Sequence, residues 1–220
     1  MSTDNFFKMH LLTSEIINEY CEQHSTPENA VLHELNRQTH LKTELPVMLS
    51  GHLQGRMLSM MSHMLRPTYI LEIGTFTGYS AMCLAEGLQE NGKLISIDIN
   101  EETTEMATHF ITKNNMQDKI ELHIGKADVI IPSLNYTFDL VFIDADKPGY
   151  SNYFNMVIDK VRKGGFILAD NVLFHGDVVN EKPGKNAIAM LDYNKKMTED
   201  NRLENVLLPI RDGIMVSRKK

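Results

Sequence analysis

Two places in this chain could gather hard oxygen donors. Asp144 follows the apolar run LVFI, and Asp170 with Asn171 follows FILA. If both runs are parallel strands of one sheet, their carboxyl ends share one rim. Two carboxylates and an amide oxygen suit Mg²⁺, with Ca²⁺ or Mn²⁺ as competitors, and leave positions for water and substrate oxygens. No His/Cys cluster points to zinc. Asp and Asn are also common helix caps, and position alone leaves that reading open.

A second constellation lies upstream, in YILEIGTFTGYSAMCLAEGL, residues 69–88. An apolar run bends through Gly74 and Gly78 and continues as a helix. The spacing Gly74-x-x-x-Gly78 is not the G-x-G-x-x-G that lets a backbone close on a pyrophosphate. Glu72 would repel phosphate and would suit a ligand with positive charge or with hydroxyl and amine donors. Asp98 ends the run LISID about twenty residues past Gly78, where an acidic side chain accepts hydrogen bonds from a ribose diol. A ribose, no phosphate and a cationic remainder together describe S-adenosylmethionine.

These residues need a scaffold that brings strand ends together. Apolar strands are predicted at Tyr69–Ile73, Leu94–Ile97, Ile120–Ile124, Leu140–Ile143 and Phe166–Ala169. Helices are predicted between them at Tyr79–Gln89, Glu101–Asn114, Val129–Leu134 and Tyr150–Val161. Continuous apolar strands alternating with amphipathic helices imply a parallel sheet covered on both faces. Lys163-Gly164-Gly165 reads as a turn before the fifth strand. The polar stretch Asn171–Lys185 is long enough to be a functional loop, and a helix near Ala187–Met197 follows it. Val206–Leu208 and Ile214–Ser217, joined through Arg211-Asp212-Gly213, read as a tight hairpin that adds an antiparallel pair. Upstream, Thr26-Pro27 reads as a helix start with Val31, Leu32 and Leu35 on one face. Leu53, Met57, Met60, Met61, Met64 and Leu65 read as a second helical stripe, core or dimer interface, ended by Pro67.

Composition bounds the function. The 220 residues fit one α/β domain, with 42% hydrophobic and 23% charged residues. A net charge of −7 makes the chain a poor general binder of nucleic acid or anionic membrane. Cys21 and Cys83 lie far apart without metal-site spacing, so a reducing cytoplasm is the expected setting. The opening MSTDNFFKMH lacks the pattern of a secretory leader. No apolar run approaches the roughly 18 residues that span a bilayer.

The segments ILEIGTFTGYSA, SIDIN, FDLVFIDADK and GGFILADNVLFHG, in that order, resemble the class I S-adenosylmethionine-dependent O-methyltransferases. Within that class they resemble the cation-dependent catechol and caffeoyl-CoA O-methyltransferases, from about Leu45 onward. The resemblance implies a Rossmann-like α/β fold, a mostly parallel seven-stranded sheet with an antiparallel C-terminal hairpin. It implies a single domain over 1–220, in which N-terminal helices (1–66) cover a cofactor- and metal-binding core (67–220). Glu72 and Gly74 would belong to the cofactor loop. Ser80 would bond the methionine carboxylate, Asp98 the ribose, and Ala127 would lie beside the adenine. Met48 and Ser50 match the segment at the methionine end. Asp144, Asp170 and Asn171 match the metal ligands, with Asp144 also at the cofactor's edge, and Lys147 matches the general base. A lysine amine in water holds its proton at neutral pH, so that role needs a nearby cation or burial.

The chain has no tryptophan, whereas the animal catechol enzymes flank the ring with tryptophans. Phe174 stands where relatives carry an aromatic, and His175 beside it is open to a substrate or a plain loop role. The leading expectation is methylation of a catechol-type diol in a homodimeric enzyme. Methylation of a hydroxylated uridine in transfer RNA is the alternative; it would draw on Lys182, Lys185, Lys195 and Lys196 near the mouth and would show strong salt dependence. A cofactor-binding protein without catalysis is a third reading, and a dinucleotide dehydrogenase is disfavoured by the glycine spacing and Glu72. His10, His33 and His63 form no constellation.

Overall fold

The computed structural model describes residues 14–220. The expectations placed on the first 13 residues, the absent leader and His10, lie outside them. Three helices come first: α1 (Glu15–Gln23), α2 (Ala30–Lys42) and α3 (Gly51–Leu65). An alternating series follows: β1 (Tyr69–Ile73), α4 (Tyr79–Ala85), β2 (Lys93–Asp98), α5 (Glu101–Lys113), β3 (Ile120–Ile124), α6 (Ala127–Ser133), β4 (Phe138–Ile143), α7 (Tyr150–Val157) and β5 (Val161–Ala169). Then come α8 (Lys185–Glu199), β6 (Leu203–Leu208) and β7 (Ile214–Lys219).

The seven strands form one sheet in the order β3-β2-β1-β4-β5-β7-β6. The first five are parallel, while β7 lies antiparallel between β5 and β6. Strand order therefore reverses between β1 and β4, the position at which open α/β sheets form a crevice. Alternation along each strand builds two cores. Leu71, Ile73, Val141, Ile143 and Ile167 face α6, α7 and α8. Ile70, Leu94, Leu140, Phe142 and Leu168 face α2, α3, α4 and α5. Continuous apolar runs are what a sheet covered on both sides requires. No described helix is long and apolar enough to cross a membrane.

Several local readings give way to tertiary packing. Helix α2 starts at Ala30 rather than at Thr26-Pro27, because Asn29 Oδ1 accepts from Val31 N and Leu32 N and outcompetes the upstream cap. Leu32 and Leu35 are buried on the expected face. The helix after β4 stops at Val157, and β5 already begins at Val161. Lys163-Gly164-Gly165 is thus no turn. It lies within β5 where the register against β4 shifts, and Gly164 takes a φ of +76° that suits such an irregularity. The hairpin is looser than Asp-Gly suggested: residues 209–213 connect β6 to β7, with Arg211 and Gly213 both at positive φ.

Helix α3 departs most from its sequence pattern. Met60 and Met64 are exposed, and the buried positions are Gln54, Gly55, Leu58, Ser59 and Ser62. Small residues face α4 because the two helices nearly touch. Ser62 Oγ donates to Leu84 O at 2.6 Å, and Ser59 Oγ donates to Glu86. A Cβ on Gly87 would lie 2.2 Å from the Ser62 carbonyl carbon. Met60 and Met64 are left on the outer face, while Met57 and Met61 pack at the edge of the core. Gly87→Ala is expected to lower unfolding free energy by about 1–3 kcal/mol, the usual overpacking range. Urea unfolding reads it; an unchanged midpoint would show that the α3–α4 approach is not this tight.

Candidate active site

The ends of β1 and β4 converge on Gly74. Its φ is +103°, and a Cβ there would meet the Asp144 carbonyl oxygen at 1.9 Å, so only glycine fits. A cleft of about 1110 Å³ opens above this contact. That exceeds the usual range for one small ligand and leaves room for two side by side.

At one end the cleft is lined by Asp98, Ile99, Gly125 and Ala127. Asp98 Oδ2 accepts from Phe76 N at 2.8 Å and Oδ1 from Asn100 N at 2.9 Å. Each oxygen keeps lone-pair capacity for a further donor, as a bidentate diol acceptor needs. Gly74, Thr75, Phe76 and Ser80 form the floor. Met48, half-exposed, and Ser50, buried, line the cleft from the segment before α3.

Glu72 does not line the cleft. Alternation turns it to the α4 face of β1, where it is fully buried. Its oxygens accept from Ser80 Oγ at 2.6 Å and Ser96 Oγ at 2.5 Å, Ser96 being its register partner on β2. Its influence reaches the cleft through Ser80. Burial pushes its carboxyl up to about 8, against the opposing pull of the two serine hydroxyls.

Asp144, Lys147, Asn171, Phe174, His175, Arg211 and Asp212 line the other end. Lys147 Nζ lies 3.2 Å from Asp144 Oδ1, 2.8 Å from Asn171 Oδ1 and 3.1 Å from Ala145 O. It also lies 2.7 Å from Tyr150 Oη, which in turn donates to Asp170 O at 3.0 Å. Asp170 lies just behind the cleft wall, fully buried, with Oδ1 accepting from Asn171 N and Oδ2 from Gln54 Nε2. Burial first, then the neighbouring Asp144 charge, raises its carboxyl to about 6.

This crowding tests whether a cation fits. The Asp144 charge raises the proton affinity of Asp170, and the acceptors that gather around Lys147 Nζ are oxygens of Asp144 and Asn171, a donor type that suits a hard divalent ion. Among the described residues no three His, Cys, Asp or Glu side chains form a metal cluster. The set is two acids and the amide of Asn171, which sits at φ +58°, a conformation asparagine tolerates.

The structure brings together at one cleft Met48, Ser50, Gly74, Ser80, Asp98, Ala127, Asp144, Lys147 and Asn171, with Glu72 and Asp170 immediately behind. The loop after β5 carries positive φ at Asn171, Phe174, His175 and Gly176, and Asn171, Phe174 and His175 line the cleft. His175 N donates to the buried Asp212 carboxylate, and its ring lies 3.5 Å from the second oxygen. Lys182, Lys185, Lys195 and Lys196 do not line the cleft. Sequence reading missed Gln54, Tyr150, Arg211 and Asp212 as site residues. Asp212 and Arg211 carried only a turn signal, Tyr150 only a helix start, and Gln54 was hidden in a methionine-rich helix.

A family profile described as O-methyltransferase matches residues 22–220. A caffeoyl-CoA O-methyltransferase of Populus trichocarpa is 35% identical, over 79% of this chain and 75% of its own length. One from Medicago sativa is 33% identical over 95% and 90%. Among solved structures, a Podospora anserina methyltransferase bound to SAH superposes with a TM-score of 0.87 at 26% identity, covering 93% of this chain and 94% of that one. A Bacillus cereus O-methyltransferase in complex with SAH gives 0.86 at 26%, over 93% and 97%.

The buried Glu72 has a measurable signature. Between its ordinary value of 4.5 and about 8, the folded chain keeps a proton that the unfolded chain has released. Stability therefore falls as pH rises through that window. Relative to Glu72→Gln, the parent is expected to lose stability across it and to run level above it, read by urea unfolding at each pH. A difference constant over the whole range would mean that folded Glu72 is already ionised.

Proposed function

The chain belongs to the O-methyltransferase family and is an S-adenosylmethionine-dependent enzyme of the caffeoyl-CoA O-methyltransferase-like type; on that premise we propose that it methylates a phenolic hydroxyl of a catechol-type diol with help from a divalent cation. The observation that carries this reading is Lys147 Nζ, in reach of Asp144 and Asn171, in the same cleft as Asp98. In this reading Asp98 accepts the two ribose hydroxyls, Ala127 leaves room for a flat adenine, and Ser80, oriented by Glu72, bonds the methionine carboxylate. Met48 and Ser50 close on the methionine end, and Gly74 lets the end of β1 pack against the Asp144 backbone beneath the cofactor.

Asp144, Asp170 and Asn171 would hold the cation, Mg²⁺ in the first instance, with Ca²⁺ or Mn²⁺ as competitors. When bound, such an ion would stabilise a phenolate, and S-adenosylmethionine supplies the methyl on its sulfonium. Lys147 accepts the acceptor's hydroxyl proton at Nζ. Tyr150 keeps that nitrogen in place, since its own hydroxyl proton points to Asp170 O. Phe174 and Met48 bring apolar surface to the cleft, and shielding of the reacting atoms by them would favour a reaction that consumes charge. Placement of oxygen and methyl carbon about 3 Å apart is the main task of the protein. The exposed Met60 and Met64 suit a homodimer, and the free thiols of Cys21 and Cys83 suit a reducing cytoplasmic setting. A transfer-RNA acceptor remains the second reading; Lys182, Lys185, Lys195 and Lys196 do not line the cleft, although Asn186 beside Lys185 does.

Turnover of a caffeate-type acid with S-adenosylmethionine is expected with Mg²⁺ and is expected to stop on chelation. Chelator-indifferent turnover would remove the metal from this reading, and no turnover on any diol would move the acceptor to transfer RNA. Lys147→Met is expected to lower kcat by about 10²–10⁴-fold, the range for losing a general base, with cofactor affinity retained. A smaller loss would assign proton removal elsewhere.

A further inference from the structure

Helix α3 sends one polar side chain across the molecule. Gln54 is 1% exposed, and its Nε2 donates to Asp170 Oδ2 at 2.6 Å. The opposite face of the same amide meets Arg211, whose Nη1 donates to Gln54 Oε1 at 3.3 Å. A guanidinium has no acceptor, so the amide oxygen must face Arg211 and the NH₂ must face Asp170. With Asn171 N on Oδ1, Asp170 then has one hydrogen bond on each oxygen, and its carboxylate plane is fixed. Arg211 also donates through Nη2 to Val47 O at 2.9 Å and Leu49 O at 2.6 Å, the backbone of the segment that lines the cleft before α3.

We propose that Gln54 is a positioning residue for the cation site, holding the Asp170 carboxylate in its ligating orientation, and that Arg211 sets the direction of the Gln54 amide while fastening the 47–49 segment over the same cleft. The inference rests on the proposed metal role of Asp170. Partners of this kind, one step behind a ligand, typically change metal affinity by about 10–100-fold when removed. A glutamine that merely filled α3 would affect folding and every ligand alike. One that orients a ligand affects the metal and spares the cofactor. Arg211 touches both arms, and its loss affects both.

The test measures Mn²⁺ binding by electron paramagnetic resonance and SAH binding by calorimetry on the full chain, without turnover. SAH stoichiometry counts the folded fraction. Gln54→Met, of similar length but without the amide, is expected to weaken Mn²⁺ by about 10–100-fold and to leave SAH affinity unchanged. Arg211→Met is expected to weaken both. Parent-like Mn²⁺ affinity in Gln54→Met, or equal loss of both ligands, would overturn the inference. If Gln54→Met does not fold, Arg211→Met decides alone: unchanged Mn²⁺ affinity there overturns it too. A parent chain that binds SAH but no Mn²⁺ would instead remove the metal reading on which the inference rests.

Discussion

The closeness of β1 and β4 at their carboxyl ends governs this molecule. The backbone at Gly74 lies so near the Asp144 carbonyl that even a methyl group would not fit. The crevice of a doubly wound sheet always opens at the reversal of strand order. Here the two walls of that crevice carry different chemistry, a glycine loop after β1 and oxygen donors after β4 and β5. In the proposed reading, joining them this closely puts a methyl donor and its acceptor within one cleft. The loop after β5, with its run of left-handed residues, and the segment before α3 then only have to close the sides.

Charge is arranged in depth around that junction. Asp98 and Asp144 face the cleft, while Glu72 and Asp170 lie behind it, fully buried, and both carboxyls are pushed up by burial. A buried carboxylate needs donors, and each has them: two serine hydroxyls for Glu72, a backbone amide and a glutamine for Asp170. Lys147 joins Asp144 to Asn171 at the front, and Arg211 reaches Asp170 behind through Gln54. The acids behind the wall thus fix the geometry of the residues in front of it.

Sheet and cleft were legible because strand burial and strand-end position leave strong marks. Continuous apolar runs gave all seven strands, and the acids at their ends gave Asp98, Asp144 and Asp170. What escaped notice depends on contacts between distant segments. The methionine stripe of α3 has the right period, yet Gly55, Ser59 and Ser62 win the inward face because α4 approaches too closely for larger side chains. Glycines 164 and 165 look like a turn, but pairing with β4 absorbs them into β5. Glu72 stands out by charge, while its burial behind Ser80 follows from strand alternation combined with the position of α4. Gln54 carries no local signal, since its partner lies 116 positions downstream.

The sheet order has a consequence for the growing chain. β7 is the last strand in sequence, yet it lies between β5 and β6. Until it emerges from the ribosome, β5 is an edge strand with unpaired backbone groups, although Asp98, Asp144, Asp170 and Asn171 have already been synthesised. Arg211 arrives only with this last hairpin. The cleft is therefore completed only when this hairpin docks, and a nascent chain carries Asp98, Asp144 and Asp170 well before it carries Arg211.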